Sequence, residues 1–228
     1  MTGIIVLCRY NSSRLPGKIL KKIKGKEILT YIIERLSILE PRYPIVVCTS
    51  VEKTDDPIVA HCVRNNIKFY RGDLNNVALR FMNCAKENGF VNAVRINGDN
   101  IFLDANLIED MIAITESKGM LFVSNVKGRT FPRGMSVEIV NIDFYNKEYP
   151  KFEDSDLEHV MTYFYRMNEE NIEFVYNTGA NGGDINLAID TKQDLKNANR
   201  IIEAMEKDHT QYGYSEIIKL FDNITHDA

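Results

Sequence analysis

Three permanent cations and two separated aspartates are the residues in this chain best placed to do chemistry. Arg9, Arg14 and Lys18 fall within the run Cys8-Arg-Tyr-Asn-Ser-Ser-Arg-Leu-Pro-Gly-Lys18, which follows the apolar stretch Ile4–Leu7. Ser12, Ser13 and Gly17 lie between the cations, and Asn11 is a residue that tolerates a left-handed backbone. The backbone N–H groups and cations of such a loop suit a polyphosphate. Asp99 follows the expected strand Val91–Ile96 by way of Gly98, and Asp190 follows the apolar run Leu187–Ile189. Two carboxylates converging beside a polyphosphate suit Mg²⁺, which takes oxygen ligands and is commonly held by one or two carboxylates plus substrate phosphates. Taken singly, each aspartate also reads as a turn residue or helix cap. The triple-cation loop is what gives the pair a joint purpose.

Other candidates carry less. Glu138 lies between Val137 and Ile139 on an expected strand, so alternation puts it either on a solvent face or in the crevice. Asp156, Glu158 and His159 open an expected helix, where acids complement the helix dipole; a binding role for His159 stays open beside that one. Arg80 reads as a surface cation. The four cysteines, Cys8, Cys48, Cys62 and Cys84, form no Cys-x-x-Cys pair, so zinc and redox motifs are absent and small buried hydrophobes are expected. No Ser/His/Asp or Cys/His arrangement stands out. Gly-x-Gly-x-x-Gly and Gly-x-x-x-x-Gly-Lys-Ser/Thr are both missing after the first strand, which argues against a dinucleotide dehydrogenase and a P-loop NTPase.

Bringing the cationic loop and the aspartates together requires a sheet, and the pattern predicts one. Ile4–Leu7, Ile45–Thr49, Ile67–Tyr70, Val91–Ile96 and Met120–Ser124 read as strands. Between them lie helices over Ile28–Ile38, from Asp56-Pro57 onward, from Val77 to Asn88-Gly89, and around Asn106–Glu116. Pro41 and Pro44 end the first helix, and the second carries Ile58, Val59, Cys62 and Val63 inward. The alternation is that of an α/β, doubly wound, mostly parallel sheet, which binds ligands at the carboxyl ends of its strands. From Gly128 the pattern changes. A strand is expected at Met135–Val140. Pro150 breaks any helix within Tyr145–Asp154, a helix is expected at Asp156–Met167, and strands at Ile172–Tyr176 and Ile185–Ile189. A helix capped by Thr191 runs from Lys192 to about Met205, and a short one covers Tyr214–Phe221. The reading is a single domain over residues 1–228 with an inserted arm at about 131–178.

The chain has 228 residues, 44% of them hydrophobic, enough for one sizeable core. Its net charge of −4 provides no global basic field, so no nucleic-acid partner is expected. No apolar run approaches the roughly 20 residues that span a bilayer, so no membrane insertion is expected. The N-terminus enters a strand without the pattern of a signal peptide, and a cytoplasmic location is expected.

The residues Arg9-Tyr-Asn-Ser-Ser-Arg-Leu-Pro-Gly-Lys18 resemble the opening loop of the cytidylyltransferase family, which includes CMP-Kdo and CMP-sialic acid synthetases. The pattern of its spore-coat polysaccharide branch, Ala-Arg-Met-Gly-Ser-Thr-Arg-Leu-Pro-Gly-Lys, is matched except chiefly for Cys8 in place of Ala and Asn11 in place of Gly. The resemblance runs almost end to end. Arg71-Gly72 through Arg80-Phe81 is similar to Arg-Gly-x-x-x-Asp-Val-Leu-x-Arg-Tyr, with Asn76 for Asp. Arg95–Asp104 is similar to Arg-Ile-Thr-Gly-Asp-Cys-Pro-x-x-Asp, with Asn97 for Thr and Asn100-Ile101 for Cys-Pro. Pro132–Ile139, Glu158-His159-Val160 and Asn186–Leu195 resemble three further family segments, the last with Asn186 where Arg is common.

This resemblance implies a Rossmann-like nucleotide-diphospho-sugar transferase fold and a Mg²⁺-dependent enzyme. Such an enzyme passes CMP from CTP to an acidic sugar or related acceptor, releasing pyrophosphate, for surface glycan biosynthesis. It implies that Arg9, Arg14 and Lys18 hold the triphosphate, with Lys18, Arg14 and Asp99 catalytic. Cys8, Asn11, Ser12, Arg80, Asn97 and Asp99 would join them around the nucleotide, and Asp99 and Asp190 would hold the metal. Glu138 and His159 would meet the acceptor, and the arm would build a homodimer interface. Two alternatives remain open. One is a nucleotidyl- or glycosyltransferase of the same fold using another nucleotide. The other is a non-catalytic nucleotide-binding subunit, which Asn76, Asn100 and Asn186 leave possible.

Overall fold

The computed structural model describes residues 1–40, 42–179 and 181–226. Its first apolar run is strand β1, Thr2–Leu7, buried at every position. Apolar residues on both faces suit a strand covered on two sides. The opening loop leads to a small hairpin, β2 (Lys22–Ile23) and β3 (Lys26–Glu27), then to α1 (Ile28–Ser37), β4 (Ile45–Ser50), α2 (Asp56–Arg64) and β5 (Phe69–Gly72). Next come α3 (Val77–Glu87), β6 (Asn92–Asn97), α4 (Ala105–Lys118) and β7 (Phe122–Ser124). The later half adds β8 (Glu138–Asn141), α5 (Ile142–Glu148), α6 (Asp154–His159), β9 (Ile172–Phe174), α7 (Lys192–Glu203) and α8 (Tyr214–His226).

The main sheet has seven strands in the order β5-β4-β1-β6-β8-β7-β9. β5, β4, β1 and β6 are mutually parallel, while β8 runs antiparallel to both β6 and β7, and β9 is parallel to β7. The fold is therefore α/β with a mostly parallel sheet, as the alternating pattern predicts. Alternation along β1 divides the core. Ile4 and Val6 face a layer that includes residues of α1, α4, α7 and α8, and Ile5 and Leu7 face a layer with α3, α5 and the aromatics Phe122 and Phe164. The segment 131–178 contributes β8 and β9 to this same sheet and packs Tyr145 and Phe164 into the second layer. No helix among the described residues is long and apolar enough to cross a membrane.

Some local expectations hold and others are corrected. The turn at Lys24-Gly25 closes a hairpin, with both residues at positive φ, as a tight two-residue connection requires. The charged, aromatic stretch after Ile142 forms α5, because Asn141 caps it by accepting from the Phe144 N–H; Pro150 sits in a following 3₁₀ turn and ends the helix instead of preventing it. The helix expected over Asp156–Met167 is interrupted at Val160. Ile185–Ile189 is no sheet strand: it makes one parallel bridge, Arg133 with Asn186. In α2, Ile58, His61 and Cys62 form the buried stripe, and Val63 points out at 65% exposure. Pro41 lies outside the described residues. The four cysteines are buried and free, as expected.

His61 is a consequence of that stripe. It is buried against α1, with Nε2 3.4 Å from Thr30 Oγ1 and Nδ1 lacking a hydrogen-bond partner among the described residues. Burial holds its pKa below the ordinary histidine value, with Glu27 acting in the other direction. The fold thus favours neutral imidazole. Its contribution is present above the unfolded value of about 6.5 and is lost as pH falls through the depressed folded value. Denaturation midpoints are expected to decline as pH is lowered below about 6.5, and His61→Leu is expected to flatten that part of the profile. An unchanged slope in the variant would assign the decline to other groups.

Candidate active site

From β1 the chain winds outward to β4 and β5, then returns to the other side of β1 for β6. Such a reversal opens a crevice at the carboxyl ends of the two strands that flank it. The Cys8–Lys18 loop leaves β1 there, and Asn97-Gly98-Asp99 leaves β6 beside it. Gly98 allows the close approach. Its N–H donates to the Leu7 carbonyl at 2.9 Å, and a Cβ in its place would lie 2.6 Å from Cys8 Cβ. The loop folds on itself through Gly17 N–H to the Tyr10 carbonyl at 2.8 Å, and Gly17, at φ 68°, supplies the left-handed bend. Asn11 is not left-handed, is exposed, and does not line the cleft.

The loop is also fastened to the neighbouring strand. Asp55, 1% exposed, accepts from Tyr10 N–H at 2.7 Å, Thr49 Oγ1 at 2.9 Å, Ser50 N–H at 3.0 Å and the Ser50 hydroxyl. In the sequence Asp55 reads only as part of a helix start. It does sit at the N-cap position of α2, but its side chain makes no capping bond and turns back to the loop.

The resulting cleft is roughly 320 Å³ and brings together Cys8, Arg9, Ser12, Arg14, Lys18, Arg80, Asn97, Asp99, His159 and Asp190. Asp190 arrives from far along the chain, by a route other than the expected strand. Ile189 N–H donates to the Asp99 carbonyl at 3.1 Å, Leu187 N–H donates to the Arg133 carbonyl at 2.8 Å, and Asp190 N–H is held by Asp194 at 3.1 Å. Thr191 and Asp194 form the capping box that starts α7 immediately afterward.

Charge is tightly matched at the centre. Lys18 Nζ donates to Asp190 Oδ1 at 2.8 Å and to Asp99 Oδ2 at 3.2 Å, and Arg14 Nη2 lies 2.9 Å from Asp190 Oδ2. Two carboxylates thus converge on one small cation. This donor set fits Mg²⁺, which accepts two carboxylates and completes its shell with water and phosphate oxygens. Among the described residues no cluster of three or more His, Cys, Asp or Glu is placed to hold a metal, so the protein's own share would be these two groups.

Four arginines line the cleft, Arg9, Arg14, Arg80 and Arg95. Arg80 is 3% exposed, not a surface cation; its Nη1 donates to the Asp73 and Leu74 carbonyls. Arg95, to which the sequence motifs assign no role, also lines the cleft. Nε of Arg80 and of Arg95 are buried without a hydrogen-bond partner among the described residues. A buried unpartnered N–H is costly. Glu138 does not reach the cleft. It is buried opposite Arg95 in the β6–β8 register and pairs with Arg95 Nη1 and the Tyr165 hydroxyl. Burial alone would lower the Arg95 pKa, but Glu138 outweighs it and holds the guanidinium firmly charged. The signal available in the sequence is one acid and one base, each in the middle of an apolar strand, where each needs a partner.

His159 and Glu158 are exposed at the rim, with Glu158 4.0 Å from Arg9. The next residue, Val160, is buried at φ 43° and ψ −47°, in a γ-turn closed by Met161 N–H on the His159 carbonyl. That conformation is strained for a β-branched residue. Tyr145 Oη, donating to the Val160 carbonyl at 2.8 Å, helps to hold it. Asn76 caps α3 through Leu79 N–H and donates to Tyr149 Oη at 2.8 Å. Asn186 donates to Asp194 at 3.1 Å. Both stabilise local structure.

Comparison with known proteins gives the family and the fold. The chain is 29% identical over 167 residues to the spore coat polysaccharide biosynthesis protein SpsF of Bacillus subtilis (strain 168), covering 70% of this chain and 68% of that protein. It superposes on the structure of a cytidylyltransferase from Leptospira borgpetersenii serovar Hardjo-bovis with a TM-score of 0.92 at 25% identity, over 99% of this chain and 95% of that one. The fold is shared with a CMP:2-keto-3-deoxy-manno-octonic acid synthetase whose structure holds CTP, at a TM-score of 0.64 and 14% identity over 89% and 98% of the two chains. A family model described as cytidylyltransferase matches residues 3–213, nearly the whole length, and the chain belongs to the cytidylyltransferase family.

Proposed function

We propose that this protein transfers CMP from CTP to an acidic sugar or related hydroxyl-bearing acceptor, with release of pyrophosphate, in surface glycan biosynthesis. The observation that carries this reading is the meeting of Arg14, Lys18, Asp99 and Asp190 at the carboxyl ends of β1 and β6 in a chain of this family. The acceptor hydroxyl releases its proton to solvent as its oxygen forms a bond to the α-phosphorus, the bond from that phosphorus to the β-phosphate oxygen breaks, and pyrophosphate carries the electron pair away. The work is mostly positioning and charge neutralisation. Arg14 and Lys18 neutralise the charge that gathers on the leaving pyrophosphate. Mg²⁺, when bound at Asp99 and Asp190, supplies polarisation of the phosphate oxygens. Cys8 serves as wall: burial pushes its thiol well above the ordinary value, so it presents no thiolate.

For the acceptor, Arg95 and His159 offer cationic or hydrogen-bonding groups suited to a sugar carboxylate, and Glu138 acts at one remove by fixing Arg95. The relative named for spore coat polysaccharide synthesis supports a glycan destination. A homodimer through the 131–178 segment and a cytoplasmic location belong to the same proposal; light scattering tests the first.

The test of nucleotide choice is a thermal-shift panel of CTP, UTP, GTP and ATP, each with and without Mg²⁺, followed by pyrophosphate detection with sugar-acid acceptors. A ligand at 100 times its dissociation constant stabilises by about 2.7 kcal/mol, on the order of 5–10 °C at this length. A Mg²⁺-dependent shift with CTP above the others is expected. A larger shift with another nucleotide would overturn the base assignment, and no shift with any would overturn the reading as a whole.

A further inference from the structure

We infer that Lys18 stands in the place of the divalent cation until a nucleotide arrives, so that metal and triphosphate bind as one coupled event. The inference rests on the proposed nucleotidyltransferase reading of the cleft and adds an order of binding to it. The Lys18 side chain is 13% exposed, and its ammonium takes one oxygen from each aspartate, 2.8 Å from Asp190 and 3.2 Å from Asp99. Arg14 takes the second oxygen of Asp190 at 2.9 Å. Two carboxylates therefore face two cations, and the cluster keeps no surplus negative charge with which to draw in a bare dication. Nor does it hold a third acidic or imidazole ligand among the described residues. A metal entering alone has to displace a hydrogen-bonded ammonium and gains only two ligands for it.

A triphosphate changes both terms. It supplies oxygen ligands that the protein lacks, and its charge competes with the aspartates for Lys18 and Arg14. Lysine is suited to this transfer: it is a compact point charge on a flexible four-carbon stem, able to follow an anion over several ångströms. Once Lys18 turns to phosphate, Asp99 and Asp190 face the vacated space together. The coupling is reciprocal by linkage, so the factor by which nucleotide tightens metal equals the factor by which metal tightens nucleotide.

The experiment is a titration of the whole protein with Mn²⁺, read by the loss of the free-ion signal in electron paramagnetic resonance, with and without CTP, the loss with CTP counted only beyond that in CTP without protein. Wild type is expected to bind Mn²⁺ weakly alone and at least about tenfold more tightly with CTP. Lys18→Met is expected to bind Mn²⁺ alone at least about tenfold more tightly than wild type, while its gain on adding CTP shrinks. Adding Asp99→Asn to that variant is expected to remove the gain, which ties it to this pair of carboxylates. Lys18→Gln serves if the methionine variant does not fold. Wild type binding Mn²⁺ alone as tightly as with CTP, or Lys18 variants binding it no more tightly than wild type, would overturn the inference. The titrations without CTP contain no nucleotide, so they judge Lys18 independently of the thermal-shift panel that judges the proposed function.

Discussion

Asp99→Asn is expected to lower pyrophosphate release from CTP by at least about a thousandfold while leaving the protein folded. Asparagine keeps the shape of the side chain and one neutral oxygen, and loses the charge that a divalent cation needs. The fold has little stake in that charge. The Asp99 side chain is 22% exposed, Lys18 retains its shorter contact to Asp190, and the structural bond at this position is made by the Asp99 backbone carbonyl to Ile189 N–H, which the substitution keeps. A partly exposed ion pair of this kind is worth about 1 kcal/mol or less. Denaturation midpoints should therefore stay close to wild type while turnover collapses. Near-normal product formation with Mg²⁺ would remove Asp99 from the metal site. A collapse of turnover together with stability would make the residue a structural one.

The features legible in the sequence are those written in short, local patterns. β1 and β4 are runs of β-branched residues, and the loop after β1 packs its chemistry into consecutive positions, so the cations Arg14 and Lys18 at the end of β1 can be read from those residues alone. What is not legible depends on pairing across distance. Arg95 and Glu138 answer one another across β6 and β8, 43 residues apart, and a reading of either strand alone leaves its charge facing solvent or crevice. Asp190 reaches the site as expected, but by a different element. Leu187–Ile189 is apolar because Leu187 and Ile189 pack into the core, yet its hydrogen bonds go to Arg133 and Asp99 instead of a full ladder. Apolar periodicity reports burial and leaves open where the backbone bonds. The break at Val160 has no sequence signal either, since a β-branched residue is among the least suited to positive φ, and it persists through the packing around it. Asn11 shows the reverse case: its type permits a left-handed backbone, but Gly17 is the residue that supplies the bend.

Asp55→Ala is expected to be the most destabilising single substitution near the site, at about 3–5 kcal/mol, a fall in melting temperature on the order of 10 °C at this chain length. The carboxylate is buried and accepts from two backbone N–H groups and two hydroxyls. The hydroxyls can rotate toward other acceptors, but the N–H groups of Tyr10 and Ser50 are fixed and would be left unpaired where water does not reach. The loss is carried directly to the site, because Tyr10 is part of the cationic loop. Nucleotide affinity is expected to fall in Asp55→Ala even under conditions where the protein remains folded. Burial alone would raise the Asp55 pKa, but hydrogen bonds from Ser50, Tyr10 and Thr49 outweigh it and hold it below the ordinary carboxylate value. A depressed folded pKa contributes stability that is in place above the unfolded value of about 3.9 and is lost as pH falls through the folded value. Asp55→Asn, which keeps one acceptor oxygen but no charge, is therefore expected to be less stable than wild type at pH 7 and to approach it as the pH is taken below about 4. Guanidinium denaturation of the two proteins at neutral and acid pH measures this directly. A stability difference that stays constant across that range would mean that Asp55 holds the loop by shape and not by charge.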